Sequence, residues 1–192
     1  MVTESAIPIK ETISVEEAKR EVEMTAQRIG LLHLSFAKTL VDELGEEKGR
    51  QLILKAIKDY GKRCGERVRK GVIAQGLDPL PENYGVGGSR DLPEFGMHER
   101  RETVEVEGDR RVRAYGCVMA KVWKEYGEEK LGRVYCYVDP AKYMAFNPKF
   151  KQIHLKALPD GDDYCEFAVR PTSEKEREDF LAKDKDWSYI DK

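Results

Sequence analysis

Residues 103–118, TVEVEGDRRVRAYGCV, decide the fold. Thr103, Glu105 and Glu107 alternate with Val104 and Val106. Past the Glu107-Gly108-Asp109-Arg110 turn, Val112, Ala114, Gly116 and Val118 alternate with Arg111, Arg113 and Tyr115. A period of two on both sides of a Gly-containing turn predicts a β-hairpin. Downstream the pattern recurs: Ile153, Leu155 and Ala157 alternate with His154 and Lys156, Pro159-Asp160-Gly161-Asp162 supplies turn residues, and Tyr164 to Arg170 supplies a return strand.

Upstream the period is helical. Ser14 and Glu17 form a capping-box signature, and apolar residues follow at Val15, Ala18, Val22, Ala26, Ile29, Leu32, Phe36 and Leu40. The pattern predicts a long helix that ends near Leu44, stopped by Gly45. A second helix is expected from Glu46 to Lys70, with Ile53, Ile57, Tyr60, Cys64 and Val68 on one stripe. There Gly61 and Gly65 either weaken the helix or let another backbone approach closely. Lys121 to Leu131 fits a helix with Val122, Trp123 and Tyr126 inward, and VYCYVDPAKYMAFNP, punctuated by Pro140 and Pro148, fits a short helix or a turn-rich crossing. Ser173 and Glu176 cap a short charged helix carrying Phe180 and Leu181. Helices first and antiparallel hairpins second predict an α+β fold, with long N-terminal helices packed on an antiparallel sheet. Residues 1–13, with Pro8, read as an N-terminal arm and residues 14–192 as a single domain.

Composition narrows the function classes. The 192 residues carry 36 acidic and 34 basic side chains, a net charge of −2, so no basic field marks a nucleic-acid binder. With a mean hydropathy of −0.64 the chain shows no run near the roughly 18 apolar residues of a membrane span. The start, MVTESAIPIKETISVEE, has neither a basic nor an apolar leader segment, so a cytoplasmic location with reduced thiols is expected. A near-neutral charge points to a small polar molecule as partner, and the long first helix offers a face for a homodimer.

Residues 71–96, with six glycines and three prolines, read as a long functional loop holding Tyr84, Arg90 and Phe95. Its Gly-Val-Gly-Gly run lacks the Lys-Ser/Thr of a phosphate-binding P-loop. Chemistry-bearing side chains are densest between Cys136 and Cys165. Cys136 is either a nucleophile, with His154 as its base, or a small packing residue. Cys165 is assigned to the strand face opposite Phe167. Cys117, Cys136 and Cys165 could together hold zinc, a candidate cofactor, although no Cys-x-x-Cys pair exists to signal it. Cys64 reads as core. His33 reads as a satisfied core or interface histidine, His98 stands where a loop meets a strand and can enter a pocket, and His154 faces solvent or a cleft. Asp160-Gly161-Asp162-Asp163 resembles a calcium loop in composition only and reads as a hairpin turn.

Three segments in this region, Tyr135-Cys136-Tyr137-Val138-Asp139, Phe146-Asn147-Pro148 and LPDGDDYCEF (158–167), resemble the signature of the L-2-amino-thiazoline-4-carboxylic acid hydrolase family, with its Cys-x-x-Asp, Asn-Pro and Leu-x-x-Gly-Asp-x-x-Cys-x-Phe progression. The closing Gly-Asp-x-x-Cys-x-Phe is also similar to the end of 4-vinyl-reductase-like domains, which are small-molecule binding or sensory modules. The resemblance implies hydrolytic opening of a cyclic amidine at the C–N bond of a thiazoline-like ring. The motif positions are Cys136, Asp139, Asn147, Gly161, Asp162 and Cys165. On this reading Cys136, with His154 as its candidate base, attacks the amidine carbon or helps to hold a metal that activates water, and Asp139 serves as proton carrier. Asn147 holds substrate or braces a loop, and Tyr143, Asp162 and His98 complete the substrate site. The alternative is a non-catalytic binding module whose pocket lies between the long helices and the sheet, closed by the loop of residues 77–96.

Overall fold

The computed structural model describes residues 12–191, so the expected arm lies outside the described residues except for its last two. Two long helices come first, α1 (Val15–Leu44) and α2 (Glu46–Ala74). The Ser14 hydroxyl accepts from the Glu17 N–H while the Glu17 carboxylate reaches back to the cap, the reciprocal box expected from sequence.

The buried face of α1 keeps Ala26 of the expected stripe but turns away from Leu32 and Phe36. Ala26, Gly30, Leu34 and Ala37 are buried, whereas Leu32 and Phe36 are 59% and 65% exposed. Small residues win this face because α3 (Val118–Glu125) lies close against it: the Trp123 indole N–H donates to the Gly30 carbonyl at 3.2 Å, and Trp123 is fully buried. Tyr126, expected inward, is 58% exposed, because the helix stops at Glu125 and the chain turns through Gly127 before α4 (Glu129–Gly132).

The expected hairpin forms as β1 (Arg100–Val106) and β2 (Asp109–Tyr115), with Val106 opposite Asp109, but Gly116, at φ 60°, ends the return strand, and Val118, expected on it, starts α3. Its two-residue turn places Glu107 and Gly108 at φ 54° and 78°, the positive values that suit the twist of an antiparallel pair. The second hairpin, β3 (Phe150–Lys156) and β4 (Cys165–Pro171), joins it in one antiparallel sheet of order β1-β2-β4-β3. Between the hairpins runs α5 (Val138–Phe146), entered through a 3-10 turn over Arg133–Tyr137, with Pro140 tolerated in its first turn.

The fold is α+β, and α5 packs against both α2 and β3. Gly61 and Gly65 are the reason α5 sits so near α2. A Cβ on Gly61 would come within 2.5 Å of the Ala141 methyl, and one on Gly65 would overlap the Lys142 carbonyl oxygen. Close backbone approach, rather than a weak helix, is what these glycines serve. A register shift between His154 and Lys156 turns Leu155 outward, to 39% exposed, while His154 is buried. Beyond β4, the Ser173–Glu176 box starts α6 (Glu174–Leu181), and the chain returns through Trp187 and Ile190, both buried, to Asp191.

Candidate functional site

A cavity of about 530 Å³ opens between α2, α5, the inner face of the sheet and the loop of residues 75–99. That volume falls inside the roughly 300–1,000 Å³ of small-molecule sites. The inner face is set by strand alternation: Val112 pairs with Phe167, and both line the cavity with Gln152 and His154. Cys165 lines it too, on the same face as Phe167 and not on the opposite one, since residues two apart on a strand share a face.

Asp139 stands in the first turn of α5, where a carboxylate complements the helix dipole, and Lys142 follows at i+3 on the same face. The Lys142 Nζ lies 2.7 Å from Asp139 Oδ1 and 3.4 Å from Asp91 Oδ2. Asp91 belongs to the long loop and also accepts from the Tyr84 hydroxyl at 3.0 Å. The Tyr84 ring stacks on Tyr143 at 4.2 Å and 8°, and meets Phe146 edge-on at 5.0 Å. Two aromatic contacts and one ion pair thus fasten the loop over α5. From the sheet, His154 directs Nε2 at Asp139 Oδ2, 3.4 Å away, and Nδ1 at the two oxygens of Asp191, 3.0 and 3.1 Å away.

Electrostatics follow from this packing. Burial alone would raise the Asp139 carboxyl, but the Lys142 ammonium and then His154 hold it below its ordinary value. Burial alone would lower Lys142, yet Asp139 and Asp91 push it well above the usual lysine range. The pair is therefore a true ion pair inside the protein. His98, also on the wall, is lowered to about 4 by burial and by the nearby Arg101 cation, so it is neutral near pH 7. The thiols go the other way. Burial pushes Cys136 well above the ordinary thiol value, takes Cys165 to about 12, and raises Cys117.

Of the residues singled out from sequence, Cys117, Cys136, Asp139, Tyr143, His154, His98 and Cys165 all line the cavity. Cys64, read as core, is half-buried and lines it as well. Asn147 and Asp162 are elsewhere. Asn147 donates from Nδ2 to the Pro79 carbonyl at 2.8 Å and accepts from the Lys149 N–H, so it braces the long loop against the end of α5. Asp162 accepts the Ala157 N–H at 2.8 Å and closes the β3–β4 turn, where Gly161 takes φ 98°. Among the described residues, no three His, Cys, Asp or Glu side chains come together as a group able to hold a metal ion. Cys117, Cys136 and Cys165, the candidate zinc ligands, line the cavity without forming such a group, and the Cys165 sulfur accepts the Leu158 N–H at 3.4 Å. His33, read as a satisfied core histidine, meets the Leu131 carbonyl at 3.4 Å.

Sequence reasoning missed Lys142, Asp91, Arg101 and Asp191. The Asp139-x-x-Lys142 spacing was a usable signal for one of them, but lysine is so seldom buried that it invites a surface reading.

A family model described as L-2-amino-thiazoline-4-carboxylic acid hydrolase matches residues 24–169. The chain belongs to this family. The matched span of the L-2-amino-thiazoline-4-carboxylic acid hydrolase model includes Asp91, Asp139, Lys142 and His154 and stops short of Asp191. Neither the curated proteins nor the solved structures give a match. Among the described residues no helix is long and apolar enough to cross a membrane.

Proposed function

We propose that this protein hydrolyses a small cyclic amidine bearing a carboxylate, a thiazoline-like ring in keeping with the name of its family. The observation that carries the reading is the Asp139 carboxylate, held ionised between Lys142 and His154 on the wall of a cavity of ring-accommodating size.

Water is the nucleophile on this account. A water at the edge formed by Asp139 Oδ2 and His154 Nε2 adds its oxygen to the amidine carbon while its proton passes to that pair. The tetrahedral adduct collapses, a ring bond at the same carbon breaks, and the departing ring atom takes the proton back. Lys142 keeps Asp139 charged and oriented, which a carboxylate in a buried site requires. Both ring nitrogens of His154 face carboxylates, so the histidine serves Asp139 and not Cys136. The thiols, neutral in their buried setting, form wall.

Substrate recognition falls to the other side of the cavity. Arg90 pairs with Glu94 and Lys142 with Asp139 and Asp91, whereas Arg101 has no ion-pair partner among the described residues. A free guanidinium suits a substrate carboxylate, which it can grip bidentately. Neutral His98 beside it offers a hydrogen bond without competing for the anion. Val112, Val138 and Phe167 supply apolar wall for the ring.

The test is direct incubation with 2-amino-thiazoline-4-carboxylate, followed by mass spectrometry. A product heavier by one water supports the assignment. A ring that binds stoichiometrically and returns unchanged overturns it in favour of the non-catalytic binding module.

A further inference from the structure

We infer that Asp191, contributed by the chain segment after α6 and outside the matched family span, is a positioning residue for the His154–Asp139 pair; the inference rests on the acid–base role proposed for that pair. The Asp191 side chain is 0% exposed. Oδ1 accepts the His154 backbone N–H at 2.8 Å and lies 3.0 Å from Nδ1. Oδ2 lies 3.1 Å from Nδ1 and accepts from Arg133 Nη2 at 2.8 Å.

A carboxylate can only accept, so the ring nitrogen it faces carries the proton. With Nδ1–H fixed on Asp191, Nε2 is the ring nitrogen left to exchange a proton with Asp139 Oδ2, 3.4 Å away. The proton drawn from water then has a defined place, between Oδ2 and Nε2. Asp191 also grips the same residue by its main chain, so ring and backbone are oriented together. The Phe167 ring, 4.7 Å from the imidazole, closes one side.

A structural carboxylate would need only its arginine. Arg133 already neutralises Asp191, and it binds Asp160 through Nε at 2.9 Å. The double hold on His154 goes beyond that need. Asp191 is itself set firmly, since Trp187 and Ile190 before it are core residues and Lys151 Nζ donates to the Ile190 carbonyl at 2.9 Å.

Asp191→Asn tests the assignment. One amide oxygen cannot serve Arg133 and both His154 groups; with the charged donor keeping it, the NH2 group takes the place of Oδ1, gives up the His154 backbone N–H and turns to Nδ1, which drives the ring proton to Nε2. Nitrogen-15 NMR of the His154 ring is expected to show Nδ1 protonated in the parent protein and Nε2 protonated in the variant. Ring opening is expected to lose about 100-fold or more in kcat with KM changed less than about threefold. Asp191→Glu, which restores the carboxylate, is expected to recover Nδ1 protonation and part of kcat, and it carries the same readouts if the Asn variant does not fold. A folded Asp191→Asn protein with unchanged ring nitrogens and parental kcat overturns the inference, as does a Glu variant with Nδ1 unprotonated. A tautomer change in a protein that opens no ring supports the positioning of His154 and overturns the hydrolase reading instead.

Discussion

The two faces of the sheet carry two charged networks of similar size. On one face Glu166 is gripped by Arg111 Nη1 at 2.9 Å and Arg113 Nε at 2.6 Å, and Asp109 by Arg111 and Arg170. These residues alternate with Val112 and Phe167, and none of them lines the cavity. Each carboxylate there is matched by two guanidinium groups, which hold Asp109 down at about 2, Arg170 contributing most. On the inner face three carboxylates meet two permanent cations: Asp91 and Asp139 share Lys142, Asp191 has Arg133, and Asp139 and Asp191 flank one imidazole. The first network is closed and serves the pairing of β2 with β4. The second leaves a carboxylate edge and an imidazole nitrogen on a cavity wall, which is what the proposed proton transfer uses.

Acid should break the inner region first. His98 is neutral in the fold, lowered to about 4, and has an ordinary value of 6.5 when unfolded. Below 6.5 the unfolded chain binds the extra proton, so stability is lost as pH falls from 6.5 towards 4, by about 3 kcal/mol in all. Urea denaturation at pH 7 and pH 4.5 measures the loss, and His98→Asn is expected to flatten it. The outer carboxylates have depressed values, so their contribution is present above the ordinary carboxylate range and goes only at lower pH, as Asp109 approaches about 2.

Glu166→Gln attacks the other side. It leaves Arg111 and Arg113 without their shared charge and is expected to cost about 2 kcal/mol of stability, with kcat within about twofold of the parent. A large loss of activity in a stable Glu166→Gln protein would erase the distinction between the faces. The smallest effect is expected from Cys136→Ser. A thiol that burial keeps protonated is wall, so ring opening should persist within a few-fold, about 1 kcal/mol of barrier at most. Loss of all turnover in that variant would return Cys136 to the nucleophile role.

Much of the scaffold was legible because its signals are local. Both capping boxes, the Glu107-Gly108 turn and the alternation of both hairpins are set by neighbours in sequence. The glycines of α2 left a close approach open as one of two readings, without naming α5. What failed was tertiary. The apolar stripe of α1 through Leu32 and Phe36 is exposed, since the side of the helix facing Trp123 had to be built from small residues. Leu155 is turned outward by a bulge that no period reports. The site was half legible: the Cys136-x-x-Asp139 segment and His154 lead to the cavity, while the motif residues Asn147 and Asp162 prove to brace a loop and a turn. Asp191 left no trace near its partners in sequence, because 37 residues separate it from His154.

The central claim is that Asp139 takes the proton from water. Asp139→Asn keeps the shape of the side chain and removes its charge, so ring opening by this variant should fall by about 100-fold or more. Substrate binding, measured by calorimetry on the same sample, should stay within about threefold of the parent. Turnover at the parental rate in a folded Asp139→Asn protein would contradict the account.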